Sequence, residues 1–111
     1  MKLPSKIKFA DEALKKAFEQ LKEGKGEERR LYDWLLRAFN DIEQNAFCGI
    51  QIPKRLIPKE YLQRYDVHNA WKYNLPNAWR LIYSLEHEEI IVVSIVLEWL
   101  DHKEYERRFN Y

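Results

Sequence analysis

The spacing of hydrophobic residues changes along this chain from three or four to two, and this change constrains its fold more than any other feature. Apolar residues recur at helical spacing over residues 10–21, where Asp11 can cap the start of a helix. A charged turn with two glycines follows at 23–27, and a second helical stripe covers residues 31–42. The short connection predicts an antiparallel helical hairpin.

Strand patterns lie on both sides of this hairpin. A short strand is predicted at 7–9, directly before the first helix. Residues 71–75 and 79–85 alternate between apolar and polar side chains, as half-buried strands do. Residues 90–97 are rich in β-branched side chains without alternation, which is typical of a strand buried on both faces. The chain therefore contains about four predicted strands.

The remaining segments predict shorter helices. Prolines interrupt residues 47–66, and Pro58 is well placed as the first residue of a short helix that ends at Tyr65. Asp101 and Glu104 have the spacing of a capping box, which predicts a short helix at the C-terminus. The resulting fold class is α+β: an N-terminal helical hairpin packed on one face of a mainly antiparallel, twisted sheet of about four strands.

Length and composition limit the classes of function. The 111 residues predict a single domain over 1–111. The balance of 19 Lys and Arg against 18 Asp and Glu argues against a whole surface that binds nucleic acid, though not against a local basic patch. The single cysteine, Cys48, excludes an internal disulfide framework and a multi-cysteine metal site. No signal peptide or apolar run of about 20 residues is recognisable, so we expect a soluble cytoplasmic protein.

A resemblance to a known family is carried by three segments: WKYNL at 71–75, AWRLIY at 78–83 and DHKEYERRF at 101–109. With the order of elements, they resemble the RelE/ParE superfamily, the small toxins of type II toxin–antitoxin pairs. The RelE-like branch implies a ribosome-dependent mRNA interferase, an endoribonuclease that needs no metal or other cofactor. The implied partners are a cognate antitoxin, the ribosome and mRNA, with no membrane, in a homodimer or a toxin–antitoxin hetero-oligomer.

The same resemblance assigns candidate catalytic residues. In this family the RNA 2′-hydroxyl attacks the adjacent phosphate in the ribosomal A site. Arg80 stands where the family has a phosphate-binding arginine, and Lys72 where it has a lysine on the preceding strand. Tyr105 matches a family tyrosine, and His102 falls near a histidine that some branches use as acid or base. The residue types suit the chemistry, because a guanidinium binds phosphate oxygens as a rigid fork and a histidine exchanges protons near neutral pH.

Basic residues outside this set are candidates for holding RNA phosphates, or else for solubility alone: Lys54, Arg55, Arg107 and Arg108. No spacing of histidines and carboxylates predicts a metal site. The relation of Lys72 to Arg80 depends on strand register. Pairing Asn74 with Arg80 puts both cations on one face of the sheet, whereas pairing Leu75 with Ala78 puts them on opposite faces.

Two other functions are compatible with the sequence. A ParE-like inhibitor of DNA gyrase needs no acid–base pair, and the presence of His102 beside Tyr105 favours the nuclease over it. A catalytically silent interaction protein of the same fold is favoured by the charge of residues 67–111, where five basic residues face seven acidic ones. Asn74 and Asp101 also stand where one RelE branch has further basic residues.

Overall fold

A computed structural model describes residues 2–110 as a mixed sheet with helices on both faces. The strands are β1 (Lys6–Phe9), β2 (Ile50–Gln51), β3 (Trp71–Asn74), β4 (Arg80–Glu88) and β5 (Ile91–Leu100). The helices are α1 (Glu12–Lys22), α2 (Glu27–Gln44), α3 (Lys59–Tyr65) and α4 (His102–Phe109). The strand order across the sheet is β1-β5-β4-β3-β2. None of the helices in this described part is long and apolar enough to cross a membrane.

The α+β class is confirmed, but the predicted four-stranded, mainly antiparallel sheet is wrong in two respects. The N-terminal strand β1 pairs with β5 in parallel, with Lys6 opposite Val93 and Phe9 opposite Val96. The additional strand β2 pairs antiparallel with β3. A strand of two residues is too short to show a hydrophobic period, which is why the sequence pattern did not predict it. The sheet therefore has five strands and mixed directions within residues 2–110.

The predicted helical hairpin covers one face of the sheet. The side chain of Asp11 accepts a hydrogen bond of 2.8 Å from the Leu14 amide, which confirms the predicted cap of α1. Helix α1 has no fully buried residue and reaches the core through Phe18, whose ring centroid lies 5.2 Å from that of Phe39. The core between α2 and the sheet consists of Leu31, Leu35, Ala38, Phe39, Ile42, Leu75, Leu81, Tyr83 and Val96.

Helices α3 and α4 cover the opposite face. The capping box of α4 is confirmed, since the Glu104 amide donates to Asp101 Oδ1 at 2.8 Å and the Asp101 amide to Glu104 Oε1 at 3.1 Å. Helix α3 begins at Lys59, so Pro58 is its cap and not its first helical residue. The core on this face consists of Ile52, Tyr61, Val67, Ala70, Ile82, Leu97, Leu100, Tyr105 and Phe109.

A β-bulge in β5 redirects one acidic side chain toward the α3–α4 face. Ile82 pairs with Glu98, whereas the next residue of β4, Tyr83, pairs with Val96, so Leu97 is the extra residue of β5. Leu97 belongs to the core under α3 and α4, and Glu98 contacts side chains of the same two helices. The bulge thus places the carboxylate of Glu98 between α3 and α4.

Candidate functional site

The observed register brings the two candidate strand cations together. Asn74 pairs with Arg80, and Lys72 pairs with Ile82. Residues directly opposite each other in an antiparallel pair share a face, and so do residues two apart on one strand. Lys72 and Arg80 therefore lie on the same face, the one that α3 and α4 cover. The alternative register, with Leu75 opposite Ala78, is not formed.

The ring of Tyr105 in α4 contacts both cations. Tyr105 is only 3% exposed and packs in the core beneath α4. The guanidinium carbon of Arg80 lies 5.1 Å from the centroid of the Tyr105 ring, and Lys72 Nζ lies 5.2 Å from it. Lys72 Nζ also donates a 3.1 Å hydrogen bond to the Tyr105 hydroxyl. Cation–π contacts and this hydrogen bond thus hold two positive charges at one place.

The two cations have unused hydrogen-bonding capacity. Within residues 2–110, no ion pair joins Lys72 or Arg80 to a carboxylate. The Nη1 atom of Arg80 makes a long hydrogen bond of 3.4 Å to the carbonyl of Trp79. Its Nε atom is buried and has no hydrogen-bond partner in this part of the chain. Since a buried donor without a partner is costly, the arrangement favours an anion that accepts from Arg80 and offsets both charges.

His102 lies at the exposed beginning of α4, one turn before Tyr105. Its Nε2 atom is 2.9 Å from Glu106 Oε1, and its side chain is 58% exposed. The structure thus brings Lys72, Arg80 and Tyr105 together, whereas His102 contacts Glu106 of its own helix.

The structure separates the four predicted RNA-binding residues into different environments. Arg55, Arg107 and Arg108 line one groove of about 450 Å³ between the segment before α3 and the end of α4. Lys54 lies outside that groove and lines a neighbouring cavity with His68. Arg108 forms ion pairs with Glu98 and Glu60, so Arg55 and Arg107 are the two of these four residues in the groove that can bind a phosphate.

Glu98 is a half-buried acidic residue that the sequence pattern did not single out. Arg108 Nε lies 3.1 Å from Glu98 Oε2, and a second ion pair joins Arg108 Nη1 to Glu60 at 3.4 Å. The hydroxyl of Tyr61 donates a short hydrogen bond to Glu98. Burial, and then the charge of Glu98, raises the pKa of Tyr61 far above that of a free phenol. A sequence signal was available, because Glu98 is the only charged residue of β5.

The backbone of Lys72 is held from the opposite side by a close approach that requires glycine. A Cβ atom on Gly49 would lie 2.7 Å from the carbonyl oxygen of Lys72 and 2.6 Å from the Tyr83 hydroxyl. That hydroxyl accepts a 3.1 Å hydrogen bond from the Gly49 amide and donates one of 2.8 Å to the carbonyl of Ala46. The segment before β2 is thus fixed against β3 and β4 next to Lys72.

Among residues 2–110, no group of three or more His, Cys, Asp or Glu side chains is arranged to hold a metal ion. No protein-family model, curated protein or solved structure matches this chain.

Proposed function

We propose that this protein is a RelE-like toxin of a type II toxin–antitoxin system. It cleaves mRNA in the ribosomal A site as a metal-independent endoribonuclease and is silenced by a cognate antitoxin. The observation that carries the proposal is the convergence of Lys72 and Arg80 on the ring of Tyr105, with no carboxylate paired to either cation within residues 2–110. Two positive charges without a paired carboxylate suit the binding of a phosphodiester. The cleavage reaction itself is the one that the resemblance to RelE implies.

The reaction needs charge stabilisation and two proton transfers. The 2′-hydroxyl loses its proton and attacks the adjacent phosphorus, the bond to the 5′-oxygen breaks, and that oxygen takes up a proton. Negative charge accumulates on the phosphate oxygens during the attack, so the strongest contribution comes from donors already aimed at them. Arg80 and Lys72 have this role, and in this proposal His102 of α4 takes the proton of the 2′-hydroxyl and gives a proton to the leaving 5′-oxygen.

Tyr105 acts in this proposal as a positioning residue. Its ring lies beneath both cations and its hydroxyl accepts a hydrogen bond from Lys72, while the residue as a whole is almost completely buried. A phosphate bound by Lys72 and Arg80 would therefore contact the cations before it contacted the phenol. The ring orients the cations and keeps them close together against their mutual repulsion.

The test is cleavage of mRNA on ribosomes with an empty A site, mapped by primer extension. Wild-type protein is expected to cut within the A-site codon, and Arg80→Ala is expected to reduce the rate by at least 100-fold, because it removes the forked phosphate donor. Arg30→Ala is the matched control, since Arg30 is exposed on α2, away from the site. Intact mRNA with folded wild-type protein on ribosomes from a matching source would refute the proposal.

A second candidate is a non-cleaving interaction protein of the same fold. The exposed ion pair of His102 with Glu106 favours it, because this imidazole already contacts a carboxylate of its own helix. In that case Arg80→Ala and His102→Ala would leave partner binding and cellular phenotype unchanged. Inhibition of DNA gyrase without any RNA cleavage would instead identify a ParE-like inhibitor.

A further inference from the structure

The groove between α3 and α4 is a second concentration of positive charge. We call it the α3–α4 groove; it has a volume of about 450 Å³, within the range of ligand-binding clefts. Its basic lining residues are Arg55, Lys59, Arg107 and Arg108, and its acidic one is Glu60. The groove is therefore strongly cationic, although the chain as a whole carries a net charge of only +1.

Three of these cations are available to a ligand. Arg108 is paired with Glu98 and Glu60, which neutralises it. Arg55, Lys59 and Arg107 are exposed, and no carboxylate within residues 2–110 forms an ion pair with them. Groups of cations without acidic partners on one concave surface attract polyanions and release the counterions of those polyanions on binding.

The groove is connected to the Lys72–Arg80 site through two aromatic rings in tilted contact. Phe109 lines the groove, and its ring centroid lies 4.7 Å from that of Tyr105. Tyr105 in turn supports Lys72 and Arg80. The rings that border the two cationic regions thus lie one helical turn apart in α4.

We propose that the α3–α4 groove binds the phosphodiester backbone of single-stranded RNA beside the phosphate held by Lys72 and Arg80. The inference rests on the proposed function for the position of the reactive phosphate. As a consequence, the protein binds an RNA strand of several nucleotides. Arg55 and Arg107 then contribute to affinity without taking part in the cleavage reaction. Lys59 adds to the same field.

The experiment measures RNA binding separately from cleavage. Fluorescein-labelled single-stranded oligonucleotides of two and eight residues carry 2′-O-methyl groups, so they cannot be cut by 2′-hydroxyl attack. Fluorescence anisotropy at several salt concentrations compares wild type with the double variant Arg55→Ala/Arg107→Ala. The control is Lys15→Ala/Lys16→Ala, which removes two exposed charges from α1. A labelled octaglutamate peptide serves as an anion of another class.

Wild-type protein is expected to bind the octamer more tightly than the dimer. The groove variant is expected to bind the octamer about tenfold more weakly at low salt. Its negative slope of log K against log salt should become shallower by about 1.4, because two phosphate contacts are lost. Equal losses in the control variant, or no octamer binding by wild type, would overturn the inference. Equally tight octaglutamate binding with the same dependence on Arg55 and Arg107 would also overturn it, in favour of an acidic protein segment.

These outcomes are independent of those of the cleavage assay. Groove-dependent octamer binding without A-site cleavage would remove the proposed reaction and retain the RNA groove. Cleavage that requires Arg80 but is insensitive to Arg55→Ala/Arg107→Ala, together with unchanged octamer binding in that variant, would retain the reaction and remove the groove.

Discussion

The role of Tyr105 can be tested by two substitutions that separate its ring from its hydroxyl. Tyr105→Phe keeps the ring under both cations but loses the hydrogen bond from Lys72 Nζ. Tyr105→Leu removes the ring as well. If Tyr105 positions the cations, Tyr105→Phe retains cleavage within about tenfold of wild type. If Tyr105 instead donated a proton to the leaving oxygen, the same substitution would slow cleavage by about 10²–10⁴-fold.

The structure gives the magnitudes for stability. Losing the ring removes two cation–π contacts of about 1 kcal/mol each and the packing of the Tyr105 ring on Phe109, worth about another 1 kcal/mol. Tyr105→Leu also loses the hydrogen bond from Lys72, about 1 kcal/mol more, so its free energy of unfolding should fall by about 4 kcal/mol. Tyr105→Phe should lose about 1 kcal/mol, the net contribution of one hydrogen bond. Both losses are smaller than the total stability of a typical domain, so both variants can be assayed while folded.

The assay combines urea unfolding with A-site cleavage at temperatures where each variant is folded. We expect Tyr105→Leu to reduce the rate of cleavage more than 100-fold, because Lys72 and Arg80 no longer contact a common ring that positions them. A loss of cleavage of more than 100-fold in folded Tyr105→Phe would refute the positioning role, since the hydroxyl would then be the reacting group. Full activity of Tyr105→Leu would refute it as well.

Two further predictions concern half-buried polar groups, Glu98 and Tyr73. Glu98→Ala leaves Arg108 and the Tyr61 hydroxyl without their shared acceptor, and should lower the free energy of unfolding by about 2 kcal/mol in urea titrations; this is less than for a fully buried pair because the Arg108 side chain is 36% exposed. A loss under 0.5 kcal/mol would contradict it. Burial and the hydrogen bond to Asp41 raise the pKa of Tyr73 to about 12. Because an unfolded tyrosine titrates near 10, this contribution to stability is complete below about pH 10 and is lost as the pH rises toward 12. Tyr73→Phe should make the decline of stability over that interval shallower, and an unchanged decline would contradict the assignment.

Much of the local structure could be predicted from the sequence. The caps at Asp11 and Asp101 were identified because capping depends on residues within one helical turn. The helical stripe of α2 and the alternating strands were readable because burial of one face imposes a period. The predicted start of β5 at Ile90 was wrong: this residue lies in the hairpin turn and is 97% exposed, since β-branched composition does not distinguish a turn residue from a strand residue.

The assembly of the candidate site was decided by tertiary structure alone. The resemblance assigned Lys72, Arg80 and Tyr105 individually, but a shift of strand register would have separated the two cations. The carboxylate of Glu98 reached α3 and α4 because of a bulge in β5, which depends on pairing with a neighbouring strand. The sequence by itself thus determined helices, caps and residue chemistry, which are local properties. Only long-range pairing decided which side chains meet, because contact between distant residues depends on register and packing.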